Sequence, residues 1–287
     1  MSYTYQYPHP AVAADCVVFG FNGCELQVLL IERGLDPFKG AWAFPGGFMR
    51  MDESAEECAQ RELREETSLN VQVLKQLGAF SAVHRDPRER VVSIAFYALV
   101  RPSEVRGGDD ASQARWFALR DVPQLAFDHD FILRKAMQRL REDIYFEPVG
   151  FELLDKEFTM SELQRLYEAI LGVRFDRRNF EKKMLQTGIL QLAEEDELYF
   201  MEDAIPLACE PAPTYRLSKP QVGKSAEKSF FGSKQEMKTM SIDALFGGNG
   251  TPPEPQPKKV GRKGRRFSFN KEKYDHFKKN NNFRFEF

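Results

Sequence analysis

The 287-residue chain concentrates acids on one short stretch, between Gly47 and Glu66. Five residues separate Gly47 from Glu53, and seven more separate Glu53 from the run Arg61-Glu62-Leu63-Arg64-Glu65-Glu66. No Gly or Pro interrupts Glu53 to Glu66, which predicts a helix capped by Asp52 or Ser54. On it Glu62, Glu65 and Glu66 fall at i, i+3 and i+4, so three carboxylates share about 100° of arc. Like charges at this spacing repel, and acids in a last turn oppose the helix dipole. A cation should offset the conflict. Clustered carboxylate oxygens are hard ligands suited to Mg²⁺ or Mn²⁺, and such an ion bridging a diphosphate polarises phosphorus and helps deprotonate a water. The Glu56-Glu57 pair, by contrast, reads as solvated surface.

The elements that must position these acids are legible on either side. Val12–Phe19 and Glu25–Ile31 read as strands joined through Asn22-Gly23, a dipeptide that accepts the positive φ of a hairpin turn. Val71–Phe80, Val91–Val100 and Ala114–Ala118 read as further strands. Asp128–Arg141 has helical spacing at Phe131, Ile132, Ala136 and Leu140. Strands mixed with two helices predict an α/β sandwich of about 140 residues, within the usual size of one domain.

These residues resemble the Nudix superfamily, whose signature is a Gly, a Glu, the Arg-Glu-aliphatic-any-Glu-Glu core, then a Gly and an aliphatic residue. Ser68 stands where the family has its second Gly, a helix-ending position that favours positive φ. The resemblance implies that Glu62, Glu65 and Glu66 bind Mg²⁺ or Mn²⁺ and that Arg61 and Glu53 orient them. It also implies that Gly46-Gly47 lets backbone approach metal or phosphates. Pro37-Phe38-Lys39-Gly40-Ala41-Trp42, Arg85-Asp86-Pro87-Arg88 and Val91-Val92-Ser93 look like the ADP-ribose pyrophosphatase branch and its regulator relatives. Arg85, Arg88 and Arg90 are then candidates to clamp a diphosphate or ribose through fork-like hydrogen bonds. The general base stays open among Glu53, His84, Glu89, Asp109 and Asp110.

After Pro148 the pattern changes. Thr159 or Ser161 caps a helix with apolar positions Leu163, Leu166, Tyr167, Ile170 and Leu171, ended by Gly172. Asp176 caps a second helix, Arg177 to Gln186, that stops near Gly188. Two short helices across a tight turn outline a helix-turn-helix. The second presents Arg177, Arg178, Lys182 and Lys183 beside Asn179 and Gln186, a mixture able to touch phosphates and base edges, with Phe180, Met184 and Leu185 expected inward. Residues 204–259 are rich in Pro, Ser, Gly and Lys and read as a largely unstructured insertion, with a short helix at Met237–Phe246. Arg262, Lys263, Arg265 and Arg266 precede a strand at Arg265–Asn270, where Phe267 and Phe269 alternate with polar residues. The run Phe158 to Ala169 with Arg178-Asn179-Phe180 resembles the C-terminal domain of Nudix-related transcriptional regulators. That resemblance implies a winged helix whose basic hairpin lies on the backbone of double-stranded DNA.

The expected architecture is therefore α+β. A Nudix α/β/α sandwich at 9–146 is followed by helix-turn-helix at 150–203, the insertion at 204–259, and a basic wing strand and tail at 260–287. From Lys258 onward eleven Lys and Arg face three acids, a segment of +8 after one of −10 in a chain of −2. That asymmetry suits a cation-assisted chemistry in front and a polyanion partner behind. With 42% hydrophobic and 13% aromatic residues a wholly disordered chain is excluded. No apolar run reaches the ~20 residues of a membrane span, no export signal is visible, and the four Cys lack metal or scaffold spacing. A cytoplasmic protein is expected. Two functions stand side by side. One is a regulator, expected to be a homodimer, in which a nucleoside diphosphate-linked ligand such as ADP-ribose or a sugar nucleotide controls DNA binding. The other is a Mg-dependent nucleoside diphosphate pyrophosphatase with a basic appendage.

Overall fold

The computed structural model describes residues 6–103, 105, 107, 111–193 and 265–279. Its first unit is a mixed sheet of β1 (Ala11–Phe21), β2 (Leu26–Arg33), β3 (Trp42–Ala43), β4 (Gly46–Phe48), β5 (Lys75–Phe80), β6 (Val91–Leu99) and β7 (Ala111–Ala118). The spatial order is β3-β2-β1-β6-β5, with β4 also paired to β1 and β7 to β2. β1 is central, parallel to β6 and antiparallel to β2. Its apolar run follows from burial on both faces. Ala14, Cys16 and Val18 pack toward Cys58, Ala59 and Leu63 of α1 (Ala55–Thr67). Val17 and Phe19 pack toward Ile132, Ala136 and Met137 of α2 (His129–Asp143). This is the expected α/β/α sandwich.

Several local expectations are corrected. β5 begins at Lys75, so Val71 to Leu74 is not strand. Phe131, placed on the inner stripe of α2, is 45% exposed. Ser54 and not Asp52 caps α1; Glu56 and Glu57 are exposed as expected, and the Glu57 carboxylate accepts from Ser54 N–H at 2.8 Å while Ser54 Oγ accepts from Glu57 N–H. That reciprocal box satisfies two donors that a helix start otherwise leaves unpaired.

The second unit starts with β8 (Glu157–Thr159), α3 (Met160–Leu171) and α4 (Arg177–Gln186). It continues through β9 (Leu190–Leu192) and, far along the chain, β10 (Arg266–Phe269) and α5 (Lys271–Lys279). Thr159, not Ser161, caps α3 in a box with Glu162, and Gly172 ends it at φ 70°. β10 lies between β8 and β9, antiparallel to both, with the predicted Phe267 buried. Two helices packed on such a three-stranded sheet form a winged helix. Because β9 and β10 pair directly, all of residues 194–264 falls between the two strands of the wing hairpin, not merely after the second helix. The predicted helix at Met237–Phe246, the 204–259 insertion, Arg262 and Lys263 lie outside the described residues.

The two units share one apolar cluster, running from Val17 and Phe19 through Leu133 and Leu140 to Leu163, Phe180 and Phe267. Arg141 Nε donates to the Ile170 carbonyl at 2.9 Å, tying the end of α2 to the end of α3. An apolar interface of this kind restricts relative motion of the two units, unlike a flexible tether.

Candidate functional site

α1 carries the acids and β4 passes over them. Arg61 is the cation that the acidic face calls for. Its Nε and Nη2 donate to the two Glu53 oxygens at 2.9 and 2.6 Å, and its Nη1 donates to Glu62 at 2.7 Å and Glu65 at 3.0 Å. Arg61 Nη2 also reaches the Phe48 carbonyl at 3.3 Å, fixing α1 to β4. Glu66 is buried and accepts from Gly46 N–H at 2.9 Å. The two glycines are required by close approach. A Cβ on Gly47 would overlap the Glu62 carboxylate, and one on Gly46 would overlap the Ala14 carbonyl and Asp15. Only bare backbone fits above the carboxylates.

Electrostatics separates the acids. The hydrogen bonds from Arg61 bring the Glu53 carboxyl down to about 2, which keeps Glu53 ionised and paired with Arg61. Burial pushes the Glu62 carboxyl above its ordinary value, against the pull of Arg61. Among the described residues no set of three or more His, Cys, Asp or Glu side chains is gathered at ion-holding distance. Their oxygens are instead turned to Arg61 and to Gly46. Hard oxygen donors beneath the two glycines of β4 nevertheless fit a divalent ion of the Mg²⁺ class.

The arginines predicted as a clamp divide. Arg85 is a correction: its side chain is 3% exposed, and it donates to Asp128 at 3.1 and 2.8 Å and to Asp15 at 3.4 Å. It is a buried anchor, with Asp15 also accepting from Ser93 Oγ. Arg90 spends its donors on the Ser81, Ala82 and Val91 carbonyls, again holding its own loop. Arg88 stays at the surface, forked to Asp86 at 3.0 and 2.7 Å and set over the rings of Phe48 and Phe127. His84 and Glu89 are exposed, while Asp109 and Asp110 lie outside the described residues.

Sequence reasoning passed over Asp15, Asp128, His129 and Phe127. Asp15 had a signal, a lone acid inside an apolar strand. His129 is buried, stacked on Phe44, and accepts from Phe44 N–H through Nδ1 at 3.0 Å; burial lowers its pKa.

The second surface sits on α4. Asp176 accepts from Asn179 N–H at 3.0 Å, starting the helix, and Phe180 and Met184 anchor it, Phe180 edge-on to Tyr167. Arg177, Arg178, Asn179, Lys182 and Lys183 are all exposed. Leu185, expected inward, is 44% exposed and borders a shallow groove with Arg178, Lys182 and Gln186. Arg265 and Arg266 are exposed where the wing strand begins.

Comparison with known proteins agrees with this geometry. The NUDIX domain family matches residues 9–140, and the NrtR DNA-binding winged helix domain family matches residues 150–198. A protein of Acinetobacter baylyi named ADPR responsive transcriptional repressor NtrR is 31% identical over 67% of this chain and 79% of its own length. The ADP-ribose pyrophosphatase of Methanocaldococcus jannaschii is 45% identical over 46% of this chain and 76% of its own length. The crystal structure of Shewanella oneidensis NrtR complexed with a 27mer DNA superposes with a TM-score of 0.55 at 30% identity, covering 63% of this chain and 85% of that one. No helix among the described residues is long and apolar enough to cross a membrane. With both domains matched in this order, and a relative covered over most of its length, the chain belongs to the family of Nudix proteins that carry the NrtR DNA-binding winged helix domain.

Proposed function

We propose that the chain is a transcriptional repressor whose Nudix domain binds ADP-ribose or a close nucleoside diphosphate relative and thereby changes the affinity of its winged helix for double-stranded DNA. The observation that carries this is the shared apolar cluster together with the bond from Arg141 to Ile170, which makes α2 a single rigid lever. One end of α2 begins beside Asp128, which Arg85 ties to Asp15 on β1, and the other grips α3 of the winged helix. A ligand that favours one placement of α2 shifts DNA affinity by its differential binding. The names of the A. baylyi and M. jannaschii relatives supply the ligand class, and the S. oneidensis complex supplies the duplex. A homodimer would present two α4 helices to successive major grooves. The test is anisotropy of a labelled operator duplex: ADP-ribose should shift the DNA dissociation constant by about 5- to 150-fold. No shift at saturating ligand would sink the proposal.

A second activity is favoured by one observation, the completeness of the Arg61 network with Glu53, Glu62 and Glu65 beneath Gly46-Gly47. Glu62, Glu65 and Glu66 would hold a divalent ion, Mg²⁺ or Mn²⁺, which when bound neutralises a diphosphate and raises the acidity of a neighbouring water. Arg61 orients the carboxylates around it, and Gly46 N–H fixes one oxygen of Glu66. Arg88 lies over Phe48 of this strand with its guanidinium paired to Asp86. Hydrolysis of ADP-ribose to AMP, lost in Glu66→Gln, is the check; absence of turnover across nucleoside diphosphates with Mg²⁺ or Mn²⁺ would reject this activity and leave the repressor reading intact.

A further inference from the structure

His129, the first residue of α2, meets the glycine segment at two points. Phe44 lies between β3 and β4, outside both ladders, so its buried N–H has to find an acceptor elsewhere. His129 Nδ1 accepts from it at 3.0 Å, and the imidazole stacks on the Phe44 ring with centroids 5.0 Å apart at 13°. Two residues further on, Gly46 N–H holds Glu66 at 2.9 Å, while the intervening Pro45 carbonyl accepts from Cys16 N–H of β1 at 2.9 Å. The other ring nitrogen, Nε2, faces Asp15 Oδ1 at 3.7 Å, and that same oxygen is one that a Cβ on Gly46 would strike.

Two features set His129 apart from an ordinary core side chain. It is buried, and burial disfavours its charged form, so the ring carries a desolvation cost that an apolar side chain would avoid. What the imidazole supplies in return is an acceptor: the neutral tautomer with its proton on Nε2 leaves Nδ1 free to take the Phe44 N–H. Asp15, Asp128, Arg85 and Arg33 are the charged groups around it. The second feature is its place in the chain. His129 opens the helix whose last turn carries Arg141, the donor to the Ile170 carbonyl of α3. One helix thus runs from the Phe44 N–H bond to the winged helix.

We infer that His129 is the positioning residue that couples the glycine segment to α2, so that a ligand which moves Gly46-Gly47 is felt by the helix through the bond from Phe44 N–H to His129 Nδ1. This rests on the repressor reading above and adds to it the pair of atoms at which the Nudix site meets the lever. A side chain with an acceptor in the place of Nδ1 passes the movement on, and one that only fills the volume does not.

The test is DNA binding by the full chain and its His129→Asn and His129→Gln variants, with and without saturating ADP-ribose, read by anisotropy of a labelled operator duplex. The asparagine Oδ1 stands where Nδ1 stands, whereas the glutamine amide reaches the place of Nε2 and fills more of the ring's volume. A packing role alone therefore favours glutamine, and a positioning role favours asparagine. The factor by which ADP-ribose shifts the DNA dissociation constant should stay within about threefold of the parent in His129→Asn and collapse below about twofold in His129→Gln. DNA affinity without ligand should stay within about threefold of the parent in both. Coupling kept in His129→Gln, or lost in both variants, would overturn the role of His129 and leave the repressor reading standing. If His129→Asn does not fold, the Phe44 amide resonance of the parent decides: ADP-ribose has to shift it, and an unmoved resonance overturns the inference. A parent whose DNA binding ignores ADP-ribose removes the repressor reading, and the role of His129 with it.

Discussion

Arg85 Nη2 donates to Asp128 Oδ1 at 2.8 Å while the same nitrogen lies 3.4 Å from Asp15 Oδ2. One buried guanidinium thus joins the central strand β1 to the start of α2. Asp15 in turn borders the space above Gly46, whose N–H holds Glu66. The central strand β1 and the start of α2 therefore share a polar hinge, and removing its cation leaves two carboxylates facing each other with no counter-charge.

Arg85→Ala is accordingly expected to be costly. Breaking a buried pair by deleting one partner costs about 3–5 kcal/mol, since an uncompensated charge stays behind. Urea unfolding should show the midpoint falling with its slope unchanged. A loss below about 1 kcal/mol, the range of surface pairs, would mean that the pair is solvated and not a hinge.

Ser68 closes α1 at φ 63° and ψ 10°, and its N–H donates to the Arg64 carbonyl. Serine thus adopts the left-handed geometry that the family's glycine takes more cheaply. Ser68→Gly should stabilise the chain by about 0.5–1 kcal/mol, since the penalty on Cβ at this φ disappears. A destabilised variant in thermal melts would show that the Ser68 side chain contributes something the backbone geometry does not.

The helical period made the acidic face, the caps and the inward positions of α3 legible from local sequence, because each depends on neighbours within one or two turns. The fate of Arg85 was not legible. Its partners stand 43 and 70 positions away, and an Arg-rich loop reads the same whether its guanidiniums face ligand or core. Phe131 and Leu185 failed for a related reason: both lie at the edge of a helical stripe, where burial is decided by the neighbouring element and not by spacing. The wing was legible in its basic approach and alternating Phe residues, yet its pairing with β9 across residues 194–264 is a long-range fact.

His129 links pH to stability. Burial holds its pKa below the ordinary 6.5, so the folded chain keeps the ring neutral while the unfolded chain takes up a proton. Stability is then full above about pH 6.5 and is lost as pH falls from there toward the depressed folded value. Thermal melts between about pH 7.5 and 5.5 should show Tm declining in the parent and a shallower decline in His129→Gln. Parallel declines in both would assign the acid sensitivity to another group.

On α4, Arg178 and Lys182 are exposed, on the face opposite buried Phe180 and Met184. Removing one phosphate-binding cation should lower the slope of log affinity against log salt by about 1. Lys182→Ala is expected to weaken binding to any duplex with this reduced slope. Arg178→Ala should do so as well, and any extra weakening confined to the preferred sequence would reveal hydrogen bonding to a base edge worth about 1–3 kcal/mol. Unchanged slopes in both variants would move the DNA interface off this helix.

Arg141 tests the lever itself. Its Nε bond to the Ile170 carbonyl is the polar tie between α2 and α3, and burial lowers the guanidinium's pKa, so replacement by an apolar side chain of similar length removes the tie while relieving desolvation. Arg141→Met should leave ADP-ribose affinity of the free chain and DNA affinity of the unliganded chain within about threefold of the parent, a span below about 1 kcal/mol. The factor by which ADP-ribose shifts DNA binding should fall, and by linkage the factor by which DNA shifts ADP-ribose binding should fall equally. If both affinities hold and the coupling factor is untouched, α2 is a packing helix, and communication between the domains runs through the apolar cluster alone.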